Sequence, residues 1–177
     1  VPLLSSPNHH VQRVAARSIE DILVKSKKTF SDSAKRDLTL SLLKALENPQ
    51  VDRHLEHTVV HALLKVGHRE SLQFGLNHES PAIRRASLIV LSQRANATLT
   101  SADVFTLLSS SDQLLQKEAL RVIEQHPEWI AATRDQLSEW FSQPDLSKDQ
   151  QDLLRGFLPA TFDRQEVSST VKDVLEQ

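Results

Sequence analysis

The sequence contains no cysteine, no methionine and no tyrosine, and only three glycines. Without cysteine the chain can form no disulfide, no thiolate zinc site, no cysteine nucleophile and no Cys-x-x-Cys-His haem attachment. Gly67, Gly75 and Gly156 stand alone, so a Gly-x-Ser-x-Gly elbow and a glycine-rich phosphate loop are both missing. The longest apolar runs, Leu88–Leu91 and Trp129–Ala132, fall far short of the roughly 18 residues that a membrane-crossing helix needs. Charge of one sign is also scarce: the net value is −2, which predicts no bulk attraction to nucleic acid or anionic lipid. The chain opens on Val1 and has no methionine, which predicts a segment of a longer protein, with any export signal lying outside it.

Hydrophobic residues make up 39% of the chain and charged residues 25%, which is too apolar for a disordered segment. Leu, Ala, Gln, Glu and Arg dominate over the residues of sheets and tight turns, so an all-α fold is expected.

Four segments superimpose when Val11, Leu55, Ile83 and Leu115 are set equivalent. Four residues on stand Ala15, Val59, Ser87 and Ala119; five on, Ala16, Val60, Leu88 and Leu120. Seven on are Ser18, Ala62, Val90 and Val122, and eight on are Ile19, Leu63, Leu91 and Ile123. Those offsets draw one apolar stripe on a helix, repeated in each copy. Three residues before each anchor come Asn8, Asp52, Ser80 and Asp112, side chains that accept a hydrogen bond from the free amides of a first helical turn. Pro81 follows Ser80 at the first helical position, where a missing N–H costs nothing. The anchors lie 44, 28 and 32 residues apart, a diverged helix-turn-helix repeat.

Partner helices are expected at Ser33–Glu47, Glu70–Leu76, Ser101–Leu108 and Pro127–Phe141, each apolar on one side. Such helices are marginal alone and gain stability by stacking on neighbours. Ser147-x-x-Gln150 reads as a capping box, and a last helix is expected from about Asp163. The pattern therefore predicts one domain over residues 1–177: repeats over about 8–142, then capping helices over 143–177, with Ser142–Ser147 as the candidate break.

Two constellations have chemical content. His54, His57 and His61 fall within about 60° of arc on one helix and could converge on a metal, although nothing identifies further ligands or a supporting shell. Packing or surface histidines are the favoured reading. The second is a basic ladder: Arg13, His57, Arg85 and Lys117 two places past the anchors, with Arg17 and Arg121 a turn further on. On stacked helices it could face an acidic protein segment or a phosphate backbone. The favoured alternative pairs these groups with carboxylates such as Glu20, Asp21, Glu118 and Glu124, stitching adjacent repeats together. Asn96-Ala97-Thr98 matches a glycosylation sequon, a short and permissive pattern. Trp129 and Trp140 are most simply core residues. No catalytic residue and no cofactor are expected.

The pattern Asp/Ser-x-x-Val/Ile-Arg/Gln-x-x-Ala followed by Ala-Leu or Val-Leu, clearest at Ser80–Ala86, resembles HEAT repeats over roughly Asn8–Gln125. The resemblance implies an α-α superhelix, a solenoid of stacked antiparallel helix pairs. More narrowly, Asp52–Thr58 with Ala62-Leu63, the helix containing Arg85–Leu88, and His126–Trp129 are similar to the helical middle of large bacterial membrane-bound dehydrogenases with a putative haem-binding domain. In that group a sugar-dehydrogenase-like propeller precedes the HEAT segment and a c-type cytochrome follows it. That likeness implies an exported, periplasmic or membrane-associated parent, and a spacer or docking role for this segment. It carries no redox activity onto any residue here. The function expected is a non-catalytic scaffold for protein or interdomain contacts, with polyanion or nucleic-acid binding along the basic ladder as the alternative.

Overall fold

The computed structural model describes residues 2–25, 30–47, 52–94, 99–126 and 128–129. The expected helices Pro127–Phe141 and beyond, the Ser142–Ser147 break, Trp140 and the Asn96 sequon lie essentially outside these residues. The described chain is all-helical, with no strand among the described residues. A 3-10 turn, Pro2–Ser5, leads into α1 (His9–Lys25), α2 (Asp32–Lys44), α3 (Arg53–Val66), α4 (Arg69–Leu76), α5 (Pro81–Ser92), α6 (Ser101–Leu108) and α7 (Gln113–Glu124). No described helix is long and apolar enough to cross a membrane. The chain divides into two compact units, Val1–Leu99 and Thr100–Gln177.

In the first unit α3 lies against both α1 and α5, so the anchored helices form one row. Helix α2 packs on α3 and α4, and α4 packs on α5. In the second unit α6 packs on α7. The apolar stripe explains these contacts. Ile19, Leu63, Leu91 and Ile123 are all buried, as are Ala16, Val60, Leu88 and Leu120, and Ala15, Val59, Ser87 and Ala119. Fully burying one such leucine or isoleucine is worth about 1.5–3 kcal/mol. That gain offsets what eight-residue α4 and α6 lack as isolated helices. At the place seven past the anchor, Ala62, Val90 and Val122 are buried but Ser18 is exposed.

Three of the four expected N-caps form. Asn8 Oδ1 accepts from His10 N at 2.8 Å, Asp52 Oδ1 from His54 N at 3.0 Å and Asp112 Oδ1 from Leu115 N at 2.7 Å. The fourth differs: α5 begins at Pro81 as expected, but Ser80 makes no side-chain cap bond. Its hydroxyl donates instead to Leu46 O at 3.3 Å. A hydroxyl can donate as well as accept, and here it ties the start of α5 to the end of α2.

The turns before three anchored helices share one design. Asn8 N donates to Ser6 Oγ, Asp112 N to Ser110 Oγ, and Ser80 N to His78 Nδ1, at 3.2, 3.2 and 3.0 Å. Leu4, Leu76 and Leu108, at matching places ahead of these turns, are buried. In the first and fourth copies a buried glutamine closes the turn. Gln12 Nε2 donates to Leu4 O at 3.0 Å, and Gln116 Nε2 donates to Leu108 O at 2.9 Å and to Ser110 O at 2.7 Å. The 3-10 turn at Pro2–Ser5 therefore holds the place before α1 that the last turn of α6 holds before α7.

Two glycines mark close approaches. A Cβ on Gly75 in α4 would collide with the Ser87 side chain in α5. One on Gly67, which ends α3, would lie 2.5 Å from Leu63 O and 2.9 Å from Leu72 Cδ1. Only hydrogen at these positions lets the neighbours come that near.

Candidate interaction surface

The basic ladder is divided between the units: Arg13, Arg17, His57 and Arg85 belong to the first, Lys117 and Arg121 to the second. Its rungs differ in their surroundings. Arg13 Nη1 reaches Asp52 Oδ2 at 3.2 Å, linking α1 to the cap of α3. Arg85 on α5 forms a two-pronged pair with Glu56 on α3, Nε to Oε1 at 2.6 Å and Nη2 to Oε2 at 2.7 Å. Both side chains of that pair are largely buried, 12% and 14% exposed. A planar guanidinium facing a carboxylate in this fork geometry makes one of the stronger ion pairs a protein offers. In the second unit Arg121 pairs with Glu118 one turn back on α7. Hydrogen bonding to Glu118 raises the Arg121 pKa above the ordinary arginine value. Arg17, His57 and Lys117 are exposed.

The carboxylates that stitch α1 to α3 and α3 to α5 are Asp52 and Glu56. Of the carboxylates expected from the sequence to neutralise the ladder, Glu118 takes part in a pair within its own helix. Three of the six rungs are thus committed to intramolecular pairs, and the field they would offer a polyanion is correspondingly reduced.

The histidine cluster lies on the exposed side of α3. The His57 and His61 rings are in contact, with centroids 4.5 Å apart and tilted by 56°, but His54, His57 and His61 all lie exposed. On the same helix and its cap, Asp52 is engaged by Arg13 and the His54 amide, and Glu56 by Arg85. Among the described residues no group of three or more His, Asp or Glu side chains is arranged to hold a metal ion.

Trp129, expected in the core, is half-buried and stacks on His126, with ring centroids 3.9 Å apart and planes 9° from parallel. His126 Nδ1 also lies 2.8 Å from Glu128 Oε1. The hydrogen bond with His126 is the main reason the exposed Glu128 carboxyl is held below the ordinary glutamate pKa.

Arg94, absent from the expected site residues, is a principal structural contact. From just beyond α5 its guanidinium donates to Gly67 O at 2.6 Å and to Leu63 O at 3.2 Å, satisfying carbonyls at the end of α3. Gly67 O lies past the last helical turn, where carbonyls lack a partner within the helix, whereas Leu63 O also accepts from Gly67 N at 2.7 Å; partial burial lowers the Arg94 pKa. No local motif announces this contact, which spans 27 to 31 residues. The paired glutamines did carry a signal. Leu3-Leu4-Ser5-Ser6 and Leu107-Leu108-Ser109-Ser110 are identical, each followed by Asn8 or Asp112 and then by Gln12 or Gln116 at the same spacing.

Among the described residues of the first unit, Leu3, Val14, Ile22, Leu40 and Phe74 are exposed large apolar side chains. Val14 and Ile22 share one side of α1, with Ser18 between them. Ser18, Asp21, Ile22 and Lys25 line a shallow open depression there.

No family model matches this chain, and no curated protein matches it. Among solved structures, an engineered protein determined by crystallography by the Northeast Structural Genomics Consortium is 18% identical, covering 99% of this chain and 93% of its own, with a TM-score of 0.41.

Proposed function

We propose that the chain is a non-catalytic scaffold of the HEAT type, a stack of helix pairs that mediates protein or interdomain contacts. The observation that carries this reading is positional equivalence. Ile19, Leu63, Leu91 and Ile123 stand at one repeat position and are all buried, and in three copies the backbone N–H of the cap residue donates to the side chain two residues before it. A row in which α3 lies between α1 and α5 has the nearest-neighbour packing of a repeat stack. Such a row presents a continuous surface without an enclosed site. The likeness of Asp52–Thr58 and His126–Trp129 to the helical middle of bacterial membrane-bound dehydrogenases supports a docking or spacer role between larger domains.

Hydrogen exchange on this segment, alone and within a longer polypeptide that carries its flanking domains, tests the reading. Added protection on the exposed wall around Arg17 and His57 is the expected result, and an unchanged wall would count against interdomain docking there. The ion pairs of Arg13, Arg85 and Arg121 weigh against a polyanion role. Oligonucleotide binding followed by anisotropy while salt is raised from about 50 to 200 mM separates the two readings, because phosphate contacts weaken steeply over that range.

A further inference from the structure

Every exposed residue of α3 is basic or carries an imidazole: Arg53, His54, His57, His61 and Lys65. The exposed sides of α2 and α4 instead mix both signs, Arg36 and Lys44 with Asp32 and Asp37 on one, Arg69 with Glu70 on the other. At about 100° and about 1.5 Å per residue, the α3 groups fall within about 120° of arc and run along about 18 Å of the helix. Helix α1, packed on α3, repeats the arrangement. One place before the anchor and two and six places after it, α1 has His10, Arg13 and Arg17 where α3 has His54, His57 and His61. Stacked repeats bring equivalent positions side by side, so the two helices form one wall. His10 and Arg17 are exposed, and Arg13 Nη2 lies 3.3 Å from His10 Nδ1. Because α3 lies inside the row, between α1 and α5, its part of the wall is not an end of the row. At α5 the pattern stops: Ala82, Arg85 and Ile89 hold the same places, and Arg85 is engaged by Glu56. Asp52 and Glu56 already face arginines. Among the described residues no carboxylate pairs with Arg17, Arg53, His54, His57, His61 or Lys65.

We propose that this wall of α1 and α3 is a docking surface for a carboxylate-rich segment of a protein partner. The inference rests on the scaffold reading given above and names the chemistry of what that scaffold holds. Charge complementarity selects the occupant. Glu20 and Asp21, the acids of α1, lie beyond the array toward the end of that helix, so the array itself presents donors and positive charge. An imidazole donates a hydrogen bond to a carboxylate in its neutral form and in its charged form. Arg17, Arg53 and Lys65 add fixed charge. Three such cations fall short of the roughly 6–10 phosphate contacts typical of strong, salt-sensitive nucleic-acid binding. An acidic segment of about 5–6 extended residues, by contrast, covers the length of the stripe.

The probe is a fluorescein-labelled peptide of eight glutamates, followed by anisotropy with the full chain at about 50 mM salt, where surface charge is only partly screened. Saturable binding is expected. Replacing both His57 and His61 by alanine should weaken it about threefold or more, the loss for two exposed contacts to carboxylates, and Arg17→Ala should weaken it too. Arg36→Ala on α2 and Lys117→Ala in the second unit remove exposed cations elsewhere and should leave binding unchanged. All the substituted positions are exposed, so the variants should keep the parent circular dichroism. Absence of saturable binding, or equal weakening by Arg36→Ala, would overturn the proposal. An oligothymidylate of matching length that binds more tightly than the peptide, and is released by the same substitutions, would assign the wall to nucleic acid and overturn the protein assignment. Sedimentation of the chain alone covers the other occupant: a salt-sensitive dimer abolished by the double histidine substitution would assign the wall to a second copy and overturn the separate partner. If the peptide fails to bind while flanking domains still add hydrogen-exchange protection to this wall, the scaffold reading stands and only its acidic partner is lost.

Discussion

At the residue scale the fold depends on a few side chains that answer carbonyls or carboxylates belonging to other helices. Arg94 supplies the end of α3 with donors from beyond α5. Arg94→Ala should cost about 1–3 kcal/mol, the range for hydrogen bonds from a charged donor and for acceptors left unpaired, read by urea denaturation. Gln116 meets two carbonyls in a buried position, and an apolar replacement there should cost a similar amount. The Glu56–Arg85 fork is suited to a double-mutant cycle with Glu56→Gln and Arg85→Gln. A coupling of about 1–3 kcal/mol is expected for residues in direct ionic contact, and a coupling near zero would mean that each is held by its other neighbours. Glu128 titrates in a definite direction. Because its folded pKa is depressed, chiefly by the His126 hydrogen bond, its contribution to stability is present above the unfolded glutamate pKa and is lost as pH falls through the folded value. An NMR titration of the Glu128 carboxyl should have its midpoint below that of an unstructured glutamate, and His126→Ala should move it back up.

At the element scale α4 approaches α5 closely where Gly75 faces Ser87. The Ser87 hydroxyl is buried without a hydrogen-bond partner, so Ser87→Ala should be neutral or stabilising, the reverse of the usual effect of truncating a buried side chain. Gly75→Ala should destabilise by about 1–3 kcal/mol through overpacking, and by less in the Ser87→Ala background, since one of the colliding atoms is then gone. Thermal unfolding of the three variants measures both effects. The helices themselves were legible in the sequence. The stripe at fixed offsets from Val11, Leu55, Ile83 and Leu115 located α1, α3, α5 and α7, and the apolar segments between them located α2, α4 and α6. These features are local, set by 3.6-residue periodicity and cap chemistry. The Ser80 cap was read incorrectly because a hydroxyl is ambivalent, and Leu46, which takes its proton, is 34 residues away. Asp52 and Glu56 were missed as ladder partners for the same reason: pairing across helices depends on how the helices stack, and a single helix does not encode it. Trp129, expected in the core, is half-buried and stacks on the His126 imidazole, a local contact that apolar character does not specify.

For the whole molecule, the row of α1, α3 and α5 has consequences that separate it from a set of independently stable helices. A stack held by nearest-neighbour burial transmits damage to both neighbours. Leu63, fully buried in the middle helix, is the most direct place to apply it. Leu63→Ala should cost about 2–5 kcal/mol, the range for a leucine truncated in a packed core. The decisive measurement is native-state hydrogen exchange on this variant beside the parent chain. The stacked account requires α1 and α5 to lose protection together with α3. Loss confined to α3, with α1 and α5 exchanging as in the parent, would contradict it.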